Sequence, residues 1–482
     1  MSRSRRGTPE VSLIASTLLV GLSLLAALAA GCAPPPGAPA GQGSEEARAA
    51  ADTAAPPPFQ LSPDLQHDVI APHAGAADFQ PSINELAWTT FVALNWPAST
   101  EERGVPDRNN VIGGQVPDPE GGGGLPAGPT VWETFKESSE VFLDPPVEPA
   151  AWNTPQTVPS QCPEIDVPSN VPGVPAAKVM VSNQLYEDIV PFTSSPLIDQ
   201  NGENVWFEVR MNEPFFDFIV KNGYYDSRNQ PKVILDSPEG SNLTAAVGSI
   251  VVKAAWKVLG EGDDPSHFYT TNALILPEGP DGPCTAKLMG LVGLHIVHKT
   301  ATRPEWVWAT FEQMDNAPTQ GVTPPAGAHF SFNDPTCTDC PVNQQPAAGS
   351  DTPVQVERVI PIPDEVAQLN AEYQAGLVQA GNSENPKTVW QYYELVNAQW
   401  PADPPNRKIY GGPVPEFLAN TTLETYFQTP DASAKPPHSC MGCHGQYAQD
   451  TDFIFAFQKA CPGAQGCGGT LEITGPEMLR GR

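Results

Sequence analysis

The sequence predicts an α+β fold: an antiparallel β-sheet core domain with peripheral helices and long Pro/Gly-rich loops, followed by a C-terminal, mainly helical module. Three observations predict it. Between residues 205 and 313, apolar runs of strand length recur at close spacing and are joined by turns, with no βαβ alternation. Proline, with 56 residues, and glycine, with 41, interrupt the chain often enough to favour irregular connections over long helices. Beyond residue 356 the apolar period becomes helical, with Val366, Leu369, Tyr373 and Leu377 on one face.

Taken in order, the chain begins with Arg3, Arg5 and Arg6 ahead of an apolar run over residues 11–30, the pattern of a secretory signal. The run ends Leu28-Ala29-Ala30-Gly31-Cys32. That ending resembles a bacterial lipoprotein signal, although Ala29 stands where Leu is usual. The resemblance implies cleavage before Cys32, a lipid on Cys32, and an exported protein tethered in the periplasm or cell envelope. Simple cleavage nearby and a retained transmembrane helix are the alternatives. Residues 33–65 form a Pro/Ala/Gly-rich linker; its stretch 33–62 in polyproline form would reach roughly 90 Å at about 3.1 Å per residue.

Residues 66–355 are expected to make the sheet domain. Ser82 and Glu85 form a capping-box pattern opening a helix whose inner face is Ile83, Ala87, Phe91 and Leu94. Residues 103–130 and 144–175 read as loops. Residues 205–211 read as a strand, and Asn212 caps a short helix carrying Phe215, Phe218 and Ile219 that Gly223 closes. In 249–259 the residues Ile250, Val252, Ala254, Trp256 and Val258 share one face. Residues 267–276 give another strand, and 288–300 pairs with 305–313 as a hairpin. No G-x-G-x-x-G is present to suggest a dinucleotide fold.

Within the C-terminal module, residues 356–482, the stretch 388–400 fits helix or strand. Thr421 and Glu424 form a second capping-box pattern. Ser439 is placed to cap the helix that follows, and Phe453, Phe455 and Phe457 supply apolar cover.

The formal net charge is -30. Nucleic-acid binding through phosphate contacts is excluded, because it needs Lys and Arg. A basic protein partner fits this charge, drawn by an attraction that weakens in salt.

The module carries Cys440-Met441-Gly442-Cys443-His444, one C-x-x-C-H. Composition alone would produce about 0.003 such pentapeptides in a chain of this make-up. Two thiols three positions apart can reach the two vinyl groups of one porphyrin, and the next residue, His444, then falls under the iron as proximal ligand. A disulfide, a zinc half-site and a thioredoxin-type redox pair are the other uses of such a pair. Haem c is attached outside the cytoplasmic membrane in bacteria, so the export signal and this motif support one another.

The pentapeptide resembles the attachment site of c-type cytochromes, and the likeness is confined to Cys440 to His444. It implies one covalent haem c and a redox protein partner. In the commonest members the motif opens a domain of about a hundred residues. Here 38 residues follow His444, so the pocket must be built by preceding chain.

The distal ligand is open. His295 ranks first, His298 second, then Met314 and Met478, and a vacant position is a further option. On a strand, His295 and His298 point to opposite faces. His438 is expected on the wrong side, and Met441 cannot reach the distal face. Trp306 and Trp308 are expected in the core more than on the haem.

Nine cysteines, less Cys32 for lipid and Cys440 and Cys443 for haem, leave Cys162, Cys284, Cys337, Cys340, Cys461 and Cys467 for three disulfides. The local pairs Cys337–Cys340 and Cys461–Cys467 would leave Cys162–Cys284.

The functional expectation is an exported, monohaem electron carrier rather than a stand-alone enzyme. A haem c-dependent oxidoreductase with an open, peroxidase-like distal site is the alternative, and a docking module for a partner oxidoreductase is a third. No Ser-His-Asp, H-E-x-x-H or nucleotide motif names a substrate.

Overall fold

Alternation of apolar residues along four long strands builds the sheet around which the rest is packed. The structure, a computed structural model, describes residues 61–69, 76–112, 115–116, 125–126, 128–163, 178–182, 195–231, 243–277, 282–347, 350–380, 388–402, 412–430, 438–448 and 451–463. All of them lie in one compact unit, Phe59–Arg482. The expectations for the signal, Cys32, most of the linker, Cys467 and Met478 lie outside the described residues.

Nine strands form one sheet: β1 (Lys136–Glu137), β2 (Lys178–Met180), β3 (Trp206–Met211), β4 (Ile250–Val258), β5 (Thr270–Ile275), β6 (Thr285–His298), β7 (Val307–Gln313), β8 (Tyr393–Pro401) and β9 (Pro413–Val414). The order is β9-β8-β7-β6-β4-β3-β1. The 14-residue β6 is the organising strand: its first half pairs with β5 and its second half with β7, both antiparallel. All pairings are antiparallel except β2 with β5. The fold is therefore α+β with an antiparallel sheet core, and the expected hairpin is β6–β7. β8 resolves the ambiguity at 388–400: a 3-10 turn, Val389–Tyr392, leads into a strand beside β7. The sheet thus runs across the boundary drawn at 355/356.

The helices are α1 (Ala76–Leu94), α2 (Ser138–Val141), α3 (Glu213–Asn222), α4 (Asp364–Ala380) and α5 (Cys440–Tyr447). α1 and α4 pack on β8 and on each other. Trp88 stacks on Tyr373 at 4.8 Å, meets Phe311 edge-on, and donates its indole N–H to Asn370 Oδ1 at 2.9 Å. Ile250, Val252, Ala254, Trp256 and Val258 all enter the main core, as the alternation predicts, while Ala255 joins a second cluster with Phe207 and Val292.

Two local expectations are corrected. α1 begins at Ala76, not at Ser82, so Pro81 lies inside it. Gln80 anchors the extra turn: its side-chain amide donates to Ala398 O and to Asn397 Oδ1 on β8. No helix follows Thr421. Asn420 Oδ1 takes the Thr422 and Leu423 amides, Glu424 accepts from the Asn420 amide, and Thr421 is captured by Glu312, which leaves a turn. α3 matches its prediction, with Asn212 accepting from the Phe215 amide and Gly223 left-handed at φ 67°.

Cys162–Cys284 and Cys337–Cys340 are disulfides, and Cys461 is also disulfide-bonded. No helix among the described residues is long and apolar enough to cross a membrane.

Candidate functional site

Cross-strand register places one row of side chains under α5. Val251, Val297, Trp308 and Gln399 are direct partners across β4, β6, β7 and β8, so they share a face, and Lys253 pairs with His295 one step along. α5 lies over this row. Ser439 is its N-cap and accepts from the Gly442 amide at 3.0 Å, and Gln399 Oε1 accepts from the Met441 amide at 2.7 Å. The helix is short, and the cap and Gln399 hold the turn that presents the two cysteines.

Between α5 and the sheet is a cavity of about 290 Å³. Cys440, Cys443, His444, His295, Trp308 and Phe455 all line it. Cys440 and Cys443 are the cysteines that are free among the described residues. Burial, assisted by Glu424, pushes the Cys443 thiol up to about 12, and the Cys440 thiol is raised for the same reasons. A thioredoxin-type pair depends on an accessible thiolate, which these surroundings oppose. Among the described residues no group of three or more His, Cys, Asp or Glu side chains is arranged to hold a metal ion.

His444 is held by one bond and two rings. Its Nδ1–H donates to Phe453 O at 2.7 Å, leaving Nε2 as the basic nitrogen. Trp308 and Phe455 pack against the imidazole at 4.4 and 4.5 Å. Burial pushes the ring down to about 4, against the Phe453 carbonyl, so it is neutral, the form that binds metal. Two thiols, a neutral imidazole with its outer nitrogen engaged and an apolar surround are the donors a covalent haem needs.

The predicted second-site residues separate. His295 lines the cavity, with Nε2 3.3 Å from Glu424 Oε2, a contact out of line for a ring N–H hydrogen bond. Burial raises the Glu424 carboxyl, but His295, the Asn420 amide and Lys253 outweigh it and hold it below the ordinary range. His298 faces the other way, as the strand period requires, and is buried with neither ring nitrogen bonded. Met314 is 44% exposed at the end of β7, against Gln374, and is not among the residues lining the cavity.

The surround divides by contact. His438 also lines the cavity, with its Nδ1–H donating to Thr429 O at 2.7 Å. Trp308 is a cavity wall as well as a buried residue, whereas Trp306 is core, edge-on to Phe215 at 5.9 Å. The phenylalanines divide similarly: Phe455 covers His444, while Phe457 packs on Phe215. Sequence reasoning missed Glu424, whose capping pattern drew attention to the wrong role, and the Phe453 carbonyl, for which no side-chain signal exists.

Set against known protein families, characterised proteins and solved structures, the chain matches none.

Proposed function

We propose that the chain is a c-type cytochrome, with one haem covalently bound through Cys440 and Cys443 and His444 as the proximal iron ligand, which carries electrons between redox partners of the cell envelope. The carrying observation is the cavity in which the two free thiols of the described residues meet an imidazole whose Nδ1 is already engaged. When bound, the haem supplies a one-electron couple at iron. The chain's own residues do the rest. Ser439 and Gln399 fix the attachment turn. Phe453 O sets the tautomer of His444, and Trp308 and Phe455 keep water from its ring.

The C-terminal residues 356–482 act as the haem-binding module in concert with the sheet. His295 is the first candidate for the distal position, because it lines the cavity while His298 and Met314 do not. In this reading the protein is exported, tethered through Cys32, and meets a basic redox partner, consistent with its net charge of -30. One observation favours a second reading, a haem oxidoreductase with a displaceable distal site: His295 already has a carboxylate partner in Glu424.

The test is absorption spectroscopy of the exported protein, produced with the haem-attachment machinery. A covalent haem with a reversible low-spin spectrum supports the carrier. High-spin iron that binds cyanide rapidly supports the oxidoreductase, and absence of covalent haem removes both.

A further inference from the structure

The proximal side contains a buried device that neither the C-x-x-C-H nor the cavity explains. Asp452 and Phe453 have φ of 53° and 68°, left-handed values that non-glycine residues adopt at a cost. Such a turn persists only where its surroundings hold it. Here the surroundings come from the β6–β7 hairpin. Lys299, the residue after β6, makes a 2.8 Å ion pair with Asp452 Oδ2, and both side chains are 1% exposed. Lys299 also donates to Pro304 O at 2.6 Å, and its ammonium lies 4.9 Å from the centre of the Trp306 ring. Trp306, the residue before β7, donates its indole N–H to Asp452 O at 2.9 Å. The Ala245 amide adds a third bond, to Asp452 Oδ2, at 2.8 Å. Asp452 is therefore gripped through its carboxylate and its carbonyl, and the next carbonyl in the chain, Phe453 O, is the acceptor for His444 Nδ1.

We propose that the Lys299–Asp452 ion pair, with Trp306, is a positioning device for His444: it holds the 452–453 turn so that Phe453 O takes the Nδ1 proton and Nε2 is kept as the ligand nitrogen. The inference rests on the reading of His444 as an iron ligand and adds the residues that set its character. A firm acceptor at Nδ1 raises the basicity of the ligand and favours ferric over ferrous iron. Lys299 and Asp452 do not touch the iron site; they act through one backbone carbonyl. The same hairpin that supplies His295 and Trp308 to the cavity thus also governs the proximal ligand.

Two readouts test it, one of which needs no haem. In the full chain expressed without haem attachment, nitrogen NMR of His444 should show the Nδ1–H tautomer, with slow exchange of that proton. Lys299→Met should speed the exchange about tenfold and mix the tautomers, and Lys299→Arg should restore the native pattern. In the haem-loaded protein, Lys299→Met should lower the ferric-to-ferrous stability ratio about tenfold, a rise of about 59 mV for one electron. Trp306→Phe keeps the ring and removes one bond, so it should move both readouts in the same direction by less, and it serves if Lys299→Met does not fold. Unchanged tautomer and potential in a variant whose stability has fallen would overturn the proposal and leave the pair as packing alone. Failure of the wild-type protein to take up haem would strike the functional reading, while the tautomer measurement would still decide the role of the pair.

Discussion

His444 has its Nδ1 satisfied by Phe453 O and its ring between Trp308 and Phe455, so its chemistry is left to Nε2. The roles of its neighbours can be separated by substitution. Cys440→Ser together with Cys443→Ser should abolish covalent haem, read as loss of haem absorbance from the denatured chain. His295→Ala should convert low-spin iron to high-spin if His295 completes the coordination, and an unchanged spectrum would remove it as the distal ligand. A separate, partly buried carboxyl, that of Glu394, 3.0 Å from Arg358, gives a pH signature. Burial pushes Glu394 up to about 7 from a reference of 4.5, with Arg358 opposing and Glu312 assisting. The folded state then holds this proton more tightly than the unfolded state, so the contribution is favourable below about 4.5 and is lost as pH rises through about 7. Glu394→Gln should flatten that fall, a difference of about 3 kcal/mol between the ends of the window in urea unfolding.

At the scale of elements, the β6–β7 hairpin does most to shape the site. It contributes His295 and Trp308 to the cavity and ends in Lys299 and Trp306, which grip the turn after α5. Removing one partner of a buried pair leaves an uncompensated charge, so Lys299→Met should destabilise the fold by about 3–5 kcal/mol, measured by denaturant unfolding. Asp452→Asn together with Lys299→Met removes both charges and should cost less than Lys299→Met alone. α5 contributes only eight residues and depends on its cap, so Ser439→Ala should lower stability by about 1 kcal/mol and loosen the attachment turn.

At the scale of the whole molecule, one sheet carries the main core and offers one row of its residues to α5. Cys162–Cys284 closes a sequence separation of 122 residues, and replacing both by Ala should cost about 2–5 kcal/mol in thermal or urea unfolding. Much of this architecture was legible in the chain. The alternation in 249–259 and the hairpin follow from side-chain period, which depends on nothing beyond neighbouring residues. The opposite facings of His295 and His298 followed from the same rule. What was not legible came from long-range partners. Gln80 draws a turn of helix in front of Pro81 by bonding to β8, and Glu312 takes Thr421 away from a helix start. The acceptor for His444 is a backbone carbonyl in a strained turn without glycine. The two thiols and the imidazole could be read from five adjacent letters, but the cavity they face is supplied by strands up to about three hundred residues earlier. The most direct test is the intact mass of the exported protein, compared with the Cys440→Ser, Cys443→Ser double variant after denaturation. A gain equal to one haem in the wild type, absent from the variant, is the predicted result; a wild-type mass equal to the polypeptide alone would contradict the account.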